Sequence, residues 1–177
     1  MIDATDDLKD RLLVALVHSD AESRSDRANR LVWLSRFMQP SEIISGRLEP
    51  LSLLEEARVC YVNGHYIAVL LTATAFIEQT LVEELEDLAI IGPRETLAKA
   101  TETARKAELF SVELLAATDD LRKIRNPFAH RKPDDHTQNL STRFRVRKMH
   151  PKSVLEEDAQ HAIETMYEYF SLTLKPA

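Results

Sequence analysis

Apolar residues recur at three- and four-residue spacing over most of this chain, and they group into a series of amphipathic segments. Leu8, Leu12, Leu13, Leu16 and Val17 predict an opening helix over about 6–17, broken at Ser19-Asp20. A second begins near Ser25-Asp26, carries Leu31, Trp33, Leu34 and Phe37, and stops before Pro40. A third spans 51–62 and ends at Asn63-Gly64, where glycine can take the left-handed conformation that closes a helix. From His65 to about Leu88 the chain is apolar almost all round, with Leu70, Leu71, Phe76, Ile77, Leu81 and Leu85, which predicts the central, most buried helix. Gly92-Pro93-Arg94-Glu95 ends it and opens a shorter helix reaching Lys106.

Ser111, with Glu113 in an acidic first turn, predicts a sixth helix running through Leu114, Leu115, Leu121 and Ile124 to the Arg125 region, interrupted at Pro127. Between Arg131 and His150 the helical period fails. There Thr142 to Met149 alternates polar with apolar, which suggests a short extended or mobile segment. A last amphipathic helix over about 153–172 offers Leu155, Ala159, Ala162, Ile163, Met166, Tyr167 and Phe170 to the core. The expected fold is therefore an all-α antiparallel helix bundle over 47–177, preceded by an N-terminal helical extension over 1–46.

Composition narrows the class. The 177 residues suit one core, and only 3 glycines leave room for few hairpins. The single Cys60 allows neither a disulfide framework nor a cysteine metal site and reads as a small core residue. The N-terminus opens acidic, and no apolar run approaches the roughly 18–20 residues of a membrane span, so the expected location is the cytoplasm, with no membrane partner. Net charge is −6, yet the stretch from Arg122 to Lys152 carries +8 against −14 elsewhere. An electropositive patch on an acidic body still attracts a polyanion, because the local field at a cleft outweighs the total.

Within that stretch stand Arg125, Asn126 and His130. RNA carries its own nucleophile in the 2′-hydroxyl, so cutting it requires a base near neutral pH and a cation for the crowded phosphorane. Histidine and arginine meet those needs without a metal or other cofactor. In an unbroken helix residues five apart differ by about 140° around the axis and share no face. Asn126 as N-cap with Pro127 at the first helical position would instead start a new helix, placing His130 in a first turn whose free amides attract phosphate. A kinked continuous helix is the alternative.

Spacing alone does not select the pair. Arg-x4-His occurs three times, at Arg125/His130, Arg131/His136 and Arg145/His150. Only the first has a polar Asn directly after Arg and an amphipathic helix leading into it. Here Leu121-Arg122-Lys123-Ile124-Arg125-Asn126-Pro127-Phe128-Ala129-His130 resembles the motif of the HEPN family. Those helical domains occur in bacterial toxins, anti-phage defence systems and RNA-guided nucleases. The stretch from Ala57 through Gly64 to Glu78 is similar to the helix-Gly-helix hairpin of that family, and the resemblance covers roughly 51–172.

The resemblance implies a homodimeric, metal-independent endoribonuclease. Two Arg-His motifs would meet across a shared cleft and leave a 2′,3′-cyclic phosphate and a 5′-hydroxyl. Carried over by position, His130 transfers protons, Arg125 contacts the phosphate and Asn126 orients them. An antitoxin or a nucleotidyltransferase is the implied kind of protein partner. Arg122, Lys123, Arg131 and Lys132 are candidate RNA-backbone contacts, and Arg143, Arg145 and Arg147, with Phe144 between them, a candidate clamp for a single strand. The competing expectation is a non-catalytic module of the same fold that binds RNA, a nucleotide or a protein. Glu78 on the central helix either orients the site or simply pairs with an arginine.

Overall fold

The structure, a computed structural model, describes residues 4–37, 47–92 and 95–173. Among these residues the protein is all-α, with seven helices and no strands: α1 (Ala4–Ser35), α2 (Leu48–Val62), α3 (Tyr66–Asp87), α4 (Leu97–Lys106), α5 (Val112–Ala129), α6 (Leu140–Arg147) and α7 (Pro151–Thr173). The chain divides into two units, Met1–Met38 and Gln39–Ala177.

The first unit corrects the sequence reading. One 32-residue helix stands where two were expected, with no break at Ser19-Asp20. Ser and Asp cost a helix interior only about half a kcal/mol each, and neither Gly nor Pro occurs within it. The polar residues there pair along the helix instead. Asp20 accepts from Arg24 at 3.0 Å and from Arg27, and His18 lies 3.2 Å from Glu22 one turn on. Those two arginine hydrogen bonds hold the Asp20 carboxyl below its ordinary range. Trp33 and Phe37 meet edge to face at 5.1 Å, with the Arg36 guanidinium 4.1 Å from the Trp33 ring centre. The helix ends at Ser35 with a turn at Arg36-Phe37, before Pro40 as expected, and Pro40 itself lies outside the described residues.

In the second unit α3 is the central helix, packed most extensively on α7 and α2 and also touching α4 and α5. Val69, Leu70, Ala73, Phe76, Ile77, Leu81 and Leu85 are buried along it. Half of its most apolar window is covered by the bundle. By length and composition alone α3 would suffice to cross a membrane, contrary to the sequence expectation, but a buried core helix passes the same test.

The α2–α3 turn follows from Gly64. At φ 75° it lets His65 N–H donate to the Cys60 carbonyl at 2.9 Å and its own N–H to Tyr61 at 3.0 Å, the paired bonds of a Schellman stop. The α3 and α4 ends use the same bonds without glycine. Ala89 and Glu108 hold the left-handed position at φ 56° and 53°, so no glycine marks these stops, although both helices end where the apolar period predicts. α4 starts at Leu97 behind the N-cap Thr96, whose side chain accepts from Lys99 N–H. Of the expected Gly-Pro-Arg-Glu boundary, Pro93 and Arg94 lie outside the described residues.

On α7 the inward residues are Val154, Ala159, Ala162, Ile163, Met166 and Tyr169. Leu155, Tyr167 and Phe170, expected to face in, are only partly covered. The inner face is thus turned by about one residue at several positions, because Asp158 and Tyr169 find polar partners inside. Tyr169 OH lies 2.9 Å from Thr118 Oγ1 on α5, and Gln160 donates to Tyr61 OH at 3.0 Å on α2.

Burial pushes the Tyr169 phenol up to about 12, with the Thr118 hydrogen bond offsetting part of the effect. Against an unfolded value near 10, the folded state keeps this proton longer. The resulting stabilisation is complete below about pH 10 and is lost as pH rises through about 12. Tyr169→Phe is therefore expected to flatten the alkaline limb of a stability-versus-pH curve between those values. At neutral pH it should cost about 1 kcal/mol for the lost hydrogen bond, since Thr118 keeps its bond to the Leu114 carbonyl at 2.9 Å. A variant whose alkaline limb matches the parent's would contradict this.

Candidate functional site

α5 carries the motif. Ser111 caps its start by accepting from Leu114 N–H at 3.1 Å, and Leu114, Leu115, Thr118 and Leu121 anchor it in the bundle. The helix then runs through Asn126 and Pro127 to Ala129. Neither a new helix nor an N-cap forms at Asn126. Its carbonyl instead accepts from His130 N–H at 2.8 Å, and His130 is the C-cap, with φ −142° and ψ 133°. Pro127 is tolerated because it removes one hydrogen bond in the last turns and the helix has little further to run. The expected phosphate-attracting amides of a first turn are therefore absent at His130. The end of α5 presents carbonyls and negative partial charge instead.

Arg125 and His130 consequently face different environments. Arg125 is held between helices, its side chain 20% exposed, with Nη2 donating to Glu78 Oε2 of α3 at 3.4 Å. Its Nε is buried and has no hydrogen-bond partner. His130 is exposed, and no hydrogen bond ties its ring to another described residue. Asn126 and Phe128 between them are partly covered.

The two other Arg-x4-His histidines are engaged by their own loops. His136 Nδ1 accepts from Gln138 N–H at 3.2 Å, in a loop that Asn139 closes by donating to the Pro133 carbonyl at 2.7 Å. His150 Nδ1 accepts from Lys152 N–H at 3.2 Å and its carbonyl starts α7. Local turn hydrogen bonds thus separate three residues that spacing could not.

The basic stretch divides in the same way. Its presumed extended part is helix α6, begun by Asn139 and stopped by Lys148 in the left-handed conformation at φ 52°. The alternation of side chains there reflects a short, mostly exposed helix lying on α7. Arg143 takes both carboxylate oxygens of Asp158, with Nη1 to Oδ2 at 2.6 Å, and the two side chains are only 11% and 6% exposed. Arg147 pairs with Glu157. Both arginines therefore fasten α6 to α7. Arg145 stays outward, its Nε donating to the Ser141 carbonyl at 3.2 Å, beside exposed Phe144 and Val146.

On α5, Arg122 reaches Asp119 at 3.4 Å and Lys123 reaches Asp120 at 3.1 Å, each one turn back. Such partly exposed pairs are worth less than about 1 kcal/mol and yield to a stronger anion. Arg131 and Lys132 follow His130 directly and pair with no carboxylate among the described residues. Next to His130 in the chain, exposed Arg131 and half-buried Lys132 are thus left without a carboxylate, and on α6 Arg145 is likewise exposed.

A cleft of about 630 Å³ opens at the other end of α5, about 28 Å away along the helix axis. Glu84, Glu108 and Glu168 line it with Leu88, Phe110 and Leu172, and that charge repels a polyanion. Among the described residues no group of three His, Cys, Asp or Glu is arranged to hold a metal ion. No family model, curated protein or solved structure matches this chain, so the geometry of its own side chains carries the functional argument.

Proposed function

We propose that this protein is a HEPN-type, metal-independent endoribonuclease, with the bundle as its catalytic domain and α1 as an N-terminal extension. The observation that carries the reading is the state of His130. Of the three histidines placed five residues after an arginine, its ring alone is exposed and unengaged by the described residues, at the end of the helix that holds Arg125. Exposure suits an imidazole that must exchange protons with substrate. Arg131 and Lys132 beside it supply phosphate attraction.

One chain supplies one Arg-His motif, and the reading has two copies meeting so that both motifs face a shared cleft. At the scissile phosphate one His130 takes the 2′-hydroxyl proton as the 2′-oxygen bonds to phosphorus, a guanidinium steadies the phosphorane, and the second copy's protonated His130 gives a proton to the 5′-oxygen as the P–O5′ bond breaks, leaving a 2′,3′-cyclic phosphate and a 5′-hydroxyl. A toxin or defence role with an antitoxin or nucleotidyltransferase partner, acting in the cytoplasm, accords with this chemistry.

A second reading, a non-catalytic RNA- or protein-binding module, is favoured by the ion pair that already occupies Arg125 and by the carbonyl end of α5 at His130. Incubating the purified protein with mixed RNA in chelator, and determining product ends, separates the two. Cyclic phosphate ends are expected. Intact RNA, retained on the protein in a salt-sensitive complex, would select the second reading.

A further inference from the structure

Two arginines of the bundle are held by carboxylates in contrasting ways. Arg143 meets Asp158 through two short bonds and is nearly sealed from solvent, the arrangement of a structural strut. Arg125 has one long bond of 3.4 Å to Glu78, while its Nε is buried with no partner. Glu78 is divided as well. Its Oε1 accepts from the Leu97 N–H at 2.9 Å in the first turn of α4, and only Oε2 is turned to Arg125. The carboxylate is thus fixed by a helix N-terminus and offers the guanidinium a single edge. Donors on the remaining edges stay unspent, and an unpaired buried N–H is costly unless an acceptor arrives.

Resting on the ribonuclease reading, we infer that Glu78 is a positioning residue for Arg125. It fixes where the guanidinium sits, leaves the solvent-facing part of the fork to an RNA phosphate, and with its own charge limits how tightly that phosphate is taken. The carboxylate is a competing anion one bond from the phosphate contact. Removing its charge while keeping an oxygen for Leu97 N–H must strengthen phosphate binding and loosen the geometry that turnover needs. A residue that served stability alone would shift neither quantity in opposite directions.

The experiment is Glu78→Gln in the full chain, read by binding of a mixed-sequence 2′-O-methyl oligoribonucleotide, which lacks the attacking hydroxyl, and by cleavage of ordinary RNA. Binding is expected to tighten about three- to five-fold, the scale of one partly exposed ion pair, while kcat falls about ten-fold and KM falls with it. Glu78→Asp keeps the charge and should bind within about two-fold of the parent. Binding by Glu78→Gln no tighter than the parent's, including no binding by either, overturns the inference. Absence of cleavage by the parent, with the binding difference intact, instead removes the ribonuclease reading and leaves the role of Glu78 standing. On the unaltered protein, the Arg125 Nε–H resonance should shift as the oligonucleotide is added, and an unmoved signal at saturation would also overturn it.

Discussion

His130→Ala is expected to lower RNA turnover by about 10²–10⁴-fold, the contribution of a positioned proton-transfer group. Its melting temperature should stay within about 2 °C of the parent's. The second half of that expectation follows from exposure, because the ring covers no core and holds no hydrogen bond to another described residue. His136→Ala and His150→Ala share the five-residue spacing and serve as controls. Each loses a loop hydrogen bond at 3.2 Å, so a small loss of stability with activity retained is the expected pattern. A His130→Ala protein that cuts RNA at the parent's rate would remove the catalytic assignment outright. Arg125→Ala should be equally inactive but less stable, since it leaves the Glu78 carboxylate without its cation.

Asp158→Ala should be the most destabilising of the site-region substitutions, by about 3 kcal/mol. The reason is the state of its partner. Arg143 is 11% exposed, and without the carboxylate its charge stays buried and uncompensated. For a unit of this size the loss corresponds to a fall of roughly 10 °C in melting temperature, and α6 should detach from α7 before the rest of the bundle melts. Replacing both partners, Arg143→Met with Asp158→Leu, is expected to recover most of the loss, as paired apolar substitutions of buried ion pairs do. Hydrogen exchange at 140–147 in Asp158→Ala would check the order of events. Unchanged protection there, with parent-like melting, would show that the pair contributes nothing. The same pair bears on RNA contact: Arg143→Ala should act through stability, whereas Arg145→Ala should reduce the salt dependence of RNA binding by about one phosphate contact.

The element boundaries were legible wherever local chemistry is decisive. Gly64 announced the α2–α3 turn because a left-handed residue is cheapest as glycine, and Ser111 announced α5 because its hydroxyl caps a free amide. The ends of α3 and α4 fall where the apolar period places them, near Leu88 and at Lys106, but the left-handed stops at Ala89 and Glu108 carry no glycine to mark them. The 32-residue α1 was misread as two helices because Ser19-Asp20 resembles a break, while the arginines one and two turns on convert Asp20 into a helix-face partner. Thr142 to Met149 reads from sequence as extended or mobile because a short exposed helix fixed by two ion pairs needs no continuous apolar stripe. At the candidate site the sequence names Arg125, Asn126 and His130 and leaves two geometries open, a new helix from Asn126-Pro127 or a continuous one, of which the structure shows the continuous helix. Asn126-Pro127 carries the signature of a helix start, and packing along α5 kept the helix going instead.

By itself the sequence determined the helical class and the identity of the buried central helix, and it supplied the candidate groups for the proposed phosphodiester chemistry, because periodicity and side-chain chemistry are local properties. Only the tertiary structure decided which cations remain outward, since each arginine's fate depends on whether a carboxylate distant in the chain reaches it first. Asp158 claims Arg143, Glu157 claims Arg147 and Glu78 takes one edge of Arg125, while His130 is left open to solvent.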